Sequence, residues 1–187
     1  MVSHFRDWLD EAHGLDFAFE TGEFAEALTD RSTGQPLGKE RVWPLLGQFF
    51  EEEMHRQTAV PGAIEALGAI GEVADIVILT NIPDLAHPWR VEQLASHGIA
   101  HEVVCNQGGK GAAARAIVER HGATHAAFVD DLAVHHASVA AHAPDVHRLH
   151  MVAEPLLAPA VPAAEHAHAR IDDWPSATPW LLERLTQ

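Results

Sequence analysis

Over the first sixty residues apolar positions recur at helical spacing. Phe5, Trp8, Leu9 and Ala12, set between Ser3 as a candidate N-cap and Gly14 as a candidate stop, predict a short amphipathic helix. A second helix is expected after Thr21, carrying Phe24, Ala25 and Leu28. A third should run from Gly38 to Gln57 through Val42, Leu45, Leu46, Phe49, Phe50 and Met54, with Pro44 in its first turn. Residues 29–38 (TDRSTGQPLG) are turn chemistry, and no strand is expected before residue 60.

Beyond residue 60 the texture changes to short apolar runs separated by helical patterns of 10 to 15 residues, the rhythm of βαβ units and a parallel sheet. Pro61 and Gly62 open a helix through Ile64, Leu67 and Ile70. Residues 74–80 (ADIVILT) form a continuous apolar run of buried-strand type. Helices are expected over 86–97, 111–121 (stopped by Gly122), 134–143 and 175–185, and strands over 101–105, 124–129, 146–152 and 167–171. The expected architecture is therefore α/β, a three-layer doubly wound parallel sheet of Rossmann type over residues 58–187, preceded by a small helical unit over residues 1–57.

Composition narrows the partners. The 187 residues suit one domain with a full core, or one carrying a small insertion. Lys and Arg number 12 against 27 Asp and Glu, a formal net charge of −15, which repels nucleic acid and anionic membrane surfaces. One cysteine, Cys105, cannot form an internal disulfide, and no apolar run approaches a membrane span. With no signal-peptide pattern at the start, the expected location is the cytoplasm.

Ligands of parallel α/β sheets sit at the carboxyl ends of the strands, so the residues there carry the candidate chemistry. Thr80 and Asn81 follow the longest apolar run, Lys110 lies in the glycine-rich turn 107–111, and Asp130 and Asp131 follow the next strand. A hydroxyl, an ammonium and a carboxylate pair on one rim suit a phosphate together with Mg²⁺. A competing pattern overlaps them. Gly109, Gly111 and Ala114 fit G-x-G-x-x-A, with Asp130 placed as a ribose-binding acid would be, which is a dinucleotide fingerprint by spacing. It leaves Thr80 and Asn81 unexplained, and it sits in mid-sheet.

Over roughly residues 60–186 the chain resembles the haloacid dehalogenase-like (HAD) superfamily, most of whose members are Mg²⁺-dependent phosphatases. Residues 60–67 (VPGAIEAL) look like the Pro-Gly helix before that family's second motif, and residues 78–81 (ILTN) look like the motif itself. The resemblance implies that Thr80, with Asn81, binds the phosphoryl group, that Lys110 steadies phosphate charge, and that Asp130 and Asp131, within residues 128–131 (FVDD), bind Mg²⁺. It implies hydrolysis of a small phosphorylated substrate, with the first 57 residues as a cap. The departure is equally informative. Family members begin with an apolar strand ending in Asp-x-Asp, whose first Asp attacks phosphorus, and this chain contains no Asp-x-Asp. Asp7, Asp10 and Asp16 do not supply one. Two explanations follow: a true start further upstream, or a catalytically inactive binding protein.

Other polar residues have plainer readings. Asp172 and Asp173 before Trp174 and Pro175 read as a helix start, His135 and His136 as helix-surface residues, and Glu51 to Glu53 as a solvated face. His166 and His168 lack a third ligand for a metal. The five tryptophans read as core or interface residues.

Overall fold

The computed structural model describes residues 1–18, 27–155 and 157–187, and the chain divides into two compact units, Met1–Gln57 and Thr58–Gln187.

In the first unit, helix α1 (Val2–Trp8) continues through a wider π-type turn, Leu9–His13, and stops at Gly14, whose left-handed φ of 62° favours glycine. The helical spacing of Phe5, Trp8 and Leu9 buries all three. Phe5 packs edge-on against Phe17 and Phe49, at centroid distances of 5.8 and 5.1 Å. Helix α2 (Lys39–Glu53) contributes Val42, Phe49 and Phe50 to this core and ends in a 3₁₀ turn, Met54–Arg56. Pro44 lies inside α2, past its first turn.

The unit is not purely helical as expected. Three short strands, β1 (Leu15–Phe17), β2 (Leu28–Asp30) and β3 (Gln35–Pro36), form an antiparallel sheet. Strands of two or three residues are too short for an alternation to show, and they are held by pairing and by turn chemistry. Asp30 accepts from the Ser32 and Thr33 amides at 2.9 and 3.1 Å and turns β2 into β3. Asp16, on β1, pairs with Arg31 at 2.7 Å. The helix expected after Thr21 falls on residues outside those described, except Leu28, which stands in β2.

The second unit is mixed α/β with parallel pairing throughout. Helix α3 (Ala63–Gly71) precedes β4 (Val77–Thr80), α4 (His87–Ser96) leads to β5 (Glu102–Cys105), and α5 (Gly111–His121) leads to β6 (Ala127–Asp130). Then come α6 (Ala133–His142), β7 (His147–His150), β8 (Ala169–Arg170) and α7 (Trp174–Thr186). β4 pairs with β5 with Thr80 opposite Cys105, and β6, β7 and β8 form a second parallel set with Asp130 opposite His150.

Local chemistry explains the helix ends. Gly62 enters α3 at φ 78°, and a Cβ there would come within 2.9 Å of Pro175 Cδ. Asp173 caps α7 by accepting the Ser176 amide at 2.8 Å, in line with its reading as a helix start.

Alternation along β6 sends side chains to two cores. Ala127 and Val129 join Leu149, Met151 and the α3 and α7 residues Ile70, Ala177 and Leu181. Phe128 joins Ala114 of α5, Val139 of α6 and Leu79 of β4.

Between β4 and β6 the pairing is interrupted. No hydrogen bond among the described residues joins these two strands, and both line a cavity of about 590 Å³. Its remaining walls come from α3 and α7 on one side and α5 on the other, through residues such as Ile70, Leu181 and Val118. The run expected as a buried strand is consequently only half-buried at all four positions of β4.

Candidate functional site

The carboxyl ends of β4, β5 and β6 carry the residues singled out from sequence. The loops after β4 and β5 are tied together by amides: Asn81 Nδ2 donates to the Gly108 carbonyl at 2.9 Å, Asn106 Nδ2 donates to Asn81 Oδ1 at 2.8 Å, and Gln107 Nε2 donates to the Ile82 carbonyl at 2.9 Å. These bonds set the path of the turn that presents Lys110. Thr80, the last residue of β4, uses its carbonyl to accept the Asn106 amide, and its hydroxyl has no partner among the described residues.

Lys110 stands just before α5, and its Nζ lies 2.7 Å from Asp130 Oδ2, with side chains only 12 % and 4 % exposed. The other Asp130 oxygen accepts the Leu132 amide at 2.9 Å, so both oxygens are engaged. Asp131 differs. Its residue surface is exposed, but atoms crowding the carboxyl, and then the neighbouring Asp130 charge, push it above the usual carboxylate range.

Two histidines support the acid pair from behind. His136 Nε2 donates to the Asp130 carbonyl at 3.0 Å and His150 Nε2 to the Asp131 carbonyl at 3.0 Å. The tautomer of His150 follows from its other nitrogen, which accepts the Ala164 amide at 3.1 Å and therefore carries no proton. The two rings meet edge to face at 5.3 Å. Both are fully buried, and His135 is 5 % exposed with Nε2 3.4 Å from Asn81 Nδ2. The surface-helix expectation for His135 and His136 is therefore corrected: α6 turns that face inward against β6 and β7. Burial holds both below the usual imidazole value. The signal that could have found them is the adjacent His pair four and five residues after Asp131, on a helix that starts at a strand end.

The remaining candidates are structural. The imidazole of His168 accepts the Arg148 amide at 2.9 Å. Glu53 is buried, paired with His4 at 2.6 Å and with Arg56 at 3.1 Å, which corrects its reading as part of a solvated face. Trp43, 61 % exposed, is not a core residue. Burial, then Asp84, pushes the Cys105 thiol up, away from reactivity.

The glycines of the dinucleotide pattern have a packing role. A Cβ at Gly111 would overlap the Ser138 carbonyl, and one at Gly109 would lie 2.6 Å from Ser138 Oγ, so these glycines let α5 approach α6.

Mg²⁺ takes one or two carboxylates from a protein, completing its octahedron with water and phosphate. Asp130 and Asp131 meet that minimum in donor type, but no group of three or more metal-ligating side chains exists among the described residues. The acid pair thus fits the cation as a partial site. No helix among the described residues is long and apolar enough to cross a membrane. No family model, no curated protein and no solved structure matches the chain.

Proposed function

We propose that residues 58–187 form a HAD-like, three-layer doubly wound core that binds a small phosphorylated ligand together with Mg²⁺, and that the 187-residue chain binds without turning over. The observation that supports it most is the Lys110–Asp130 contact at 2.7 Å, which joins the turn after β5 to the end of β6 on the rim that also carries Thr80. On this reading the Lys110 ammonium attracts phosphate oxygens and the Thr80 hydroxyl donates to one of them. Asp130 and Asp131 hold the cation, which when bound offsets phosphate charge. His136 and His150 keep the two acid carbonyls turned inward.

Hydrolysis by a phosphoaspartyl route needs a positioned carboxylate nucleophile, and the chain has no Asp-x-Asp to supply it. Binding without turnover is therefore the reading for this chain, with phosphatase activity the expectation once such a carboxylate is provided. The ligand is a small phosphomonoester; the partner classes disfavoured by the −15 charge are nucleic acid and anionic membrane.

Calorimetric titration of inorganic phosphate and of Mg²⁺, each alone and with the other present, tests this reading. Each should tighten the other by neutralising its charge, and Lys110→Met should remove phosphate binding. Unchanged Mg²⁺ binding in an Asp130→Asn, Asp131→Asn double variant, or NADH binding at micromolar strength, would overturn the assignment. Hydrolysis of p-nitrophenyl phosphate by the 187-residue chain should stay at background.

A further inference from the structure

We infer that the cavity between β4 and β6 is a receptor for one more β-strand: an extended, apolar peptide segment that inserts between the two strands and pairs with both. The inference stands on backbone pairing and packing, and does not depend on phosphate binding.

Successive residues of a strand point their N–H and C=O groups to opposite edges. β4 is paired on its β5 side and β6 on its β7 side, so every second residue of each presents these groups to the cavity, where no hydrogen bond joins the two strands among the described residues. Two facing unpaired edges demand a backbone between them. A small apolar molecule could fill the volume, but it would leave those groups unsatisfied.

The cavity also fixes the segment's composition. Its walls are apolar above and below the strand plane, from α3 and α7 on one side and α5 on the other, so both faces of the incoming strand must be apolar, as in a strand buried in a parallel sheet. Its length follows from the four-residue strands beside it, so about five residues, ~16 Å at strand rise, span the cavity. Charge sets the flanks. Asp75, paired with His121 at 2.9 Å, stands at the end where β4 begins, and the rim where β4 and β6 end carries Asp130 and Asp131 against the cation of Lys110, so basic residues suit both ends of the segment.

The test uses the full 187-residue chain and a labelled synthetic peptide, two lysines followed by five alternating Ile and Val residues and a C-terminal lysine. Fluorescence anisotropy should show one-to-one binding, Tm should rise by about 4 °C or more at saturation, and hydrogen exchange should slow at the amides of both β4 and β6. A peptide with glutamates in place of the lysines should bind at least several-fold more weakly. N-methylation of either alternate set of peptide amides should abolish binding, because each set faces one edge. Binding that survives methylation of one set, or protection confined to one strand, overturns insertion between the two. So does concentration-dependent dimerisation of the chain alone that protects the same amides, which would assign the edges to a second copy. Displacement of a bound apolar dye with no amide protection would assign the cavity to a small molecule. Failure of the peptide to bind overturns the inference whether or not phosphate and Mg²⁺ bind, and those titrations remain informative whether or not the peptide does.

Discussion

β4 and β7 reverse the usual relation between residue type and burial. β4 reads Val-Ile-Leu-Thr and is half-buried at every position, whereas β7 reads His-Arg-Leu-His and buries its last three residues. The difference is edge satisfaction. β7 is paired on both sides, by β6 and β8, and its polar groups have partners: Arg148 donates to the His166, Pro144 and Val146 carbonyls, and His150 bridges the Asp131 carbonyl and the Ala164 amide. β4 has one partner strand and a cavity on its other side. Apolar composition states what a strand could bury; position in the sheet decides whether it does.

The strongest way to break this comparison is one substitution made on each strand. Leu149 of β7 is completely buried, so Leu149→Ala is expected to cost about 3–4 kcal/mol, transfer plus cavity. Leu79 of β4 already borders empty volume, so Leu79→Ala should cost about 1–2 kcal/mol. Urea denaturation of both variants gives the two values. Equal costs would mean that the open side of β4 is not open in solution.

A second test moves to the rim that these strands support. Lys110→Met leaves the Asp130 carboxylate buried without its cation and is expected to cost about 3 kcal/mol at pH 7. Adding Asp130→Asn, which removes the unpaired charge, should recover most of it. Urea denaturation of the single and double variants at pH 7 checks this. A cost that Asp130→Asn does not recover would mean that Lys110 acts through packing of its stem.

The helices of the second unit were legible because each carries ten or so residues of 3.6 period with marked ends: Gly122 after α5, and Asp173 with Pro175 at α7. The strands are shorter than the runs expected for them: residues 74–76 and 124–126 stand outside β4 and β6, and of the latter Ala126 adds its carbonyl, which accepts the His147 amide at 2.9 Å. The strands of the first unit were not legible, because two or three residues show no period and depend on pairing across turns that spacing does not encode. At the site, Lys110, Asp130 and Thr80 could be singled out by their strand-end positions, but the Lys110–Asp130 pairing is a contact across elements that spacing does not encode. His150 was illegible for the same reason: its role is set by a carbonyl 19 residues away in the chain.

The histidines give a third, smaller test. Burial lowers His135 and His136, and also His168, so below the unfolded value of about 6.5 the unfolded chain takes up protons that the native state refuses. Their contribution is complete above about pH 6.5 and is lost as pH falls from there toward their folded values. The raised Asp131 acts with the opposite sign, one group against three: its native form takes up a proton before the unfolded chain does, so it adds stability as pH falls through its raised folded value toward the ordinary carboxylate value. Tm should therefore fall between pH 7 and pH 5.5, and His136→Gln, which keeps a donor for the Asp130 carbonyl, should flatten the slope. An unchanged slope would remove His136 from the account.

The smallest expected effect concerns the helix that walls the open side of the sheet. α7 brings Trp174, Leu181 and Leu185 to the cavity beside β4 and β6, and its first turn is held by the Asp173 carboxylate on the Ser176 amide. Asp173→Ala removes an N-cap on an exposed side chain, a loss of about 1 kcal/mol. That loss should be local. The amides of the first turn should exchange faster, while those of β7 keep most of their protection, because β7 is paired on both sides by β6 and β8 and Leu149 shares its core with Ile70 of α3 and Met151 as well as with α7. β4 should respond more than β7, since a loosened α7 widens the cavity that β4 already borders. Hydrogen exchange resolved by residue separates these responses, and equal loosening of β4 and β7 would show that the two halves of the sheet open together, despite the break in pairing between them.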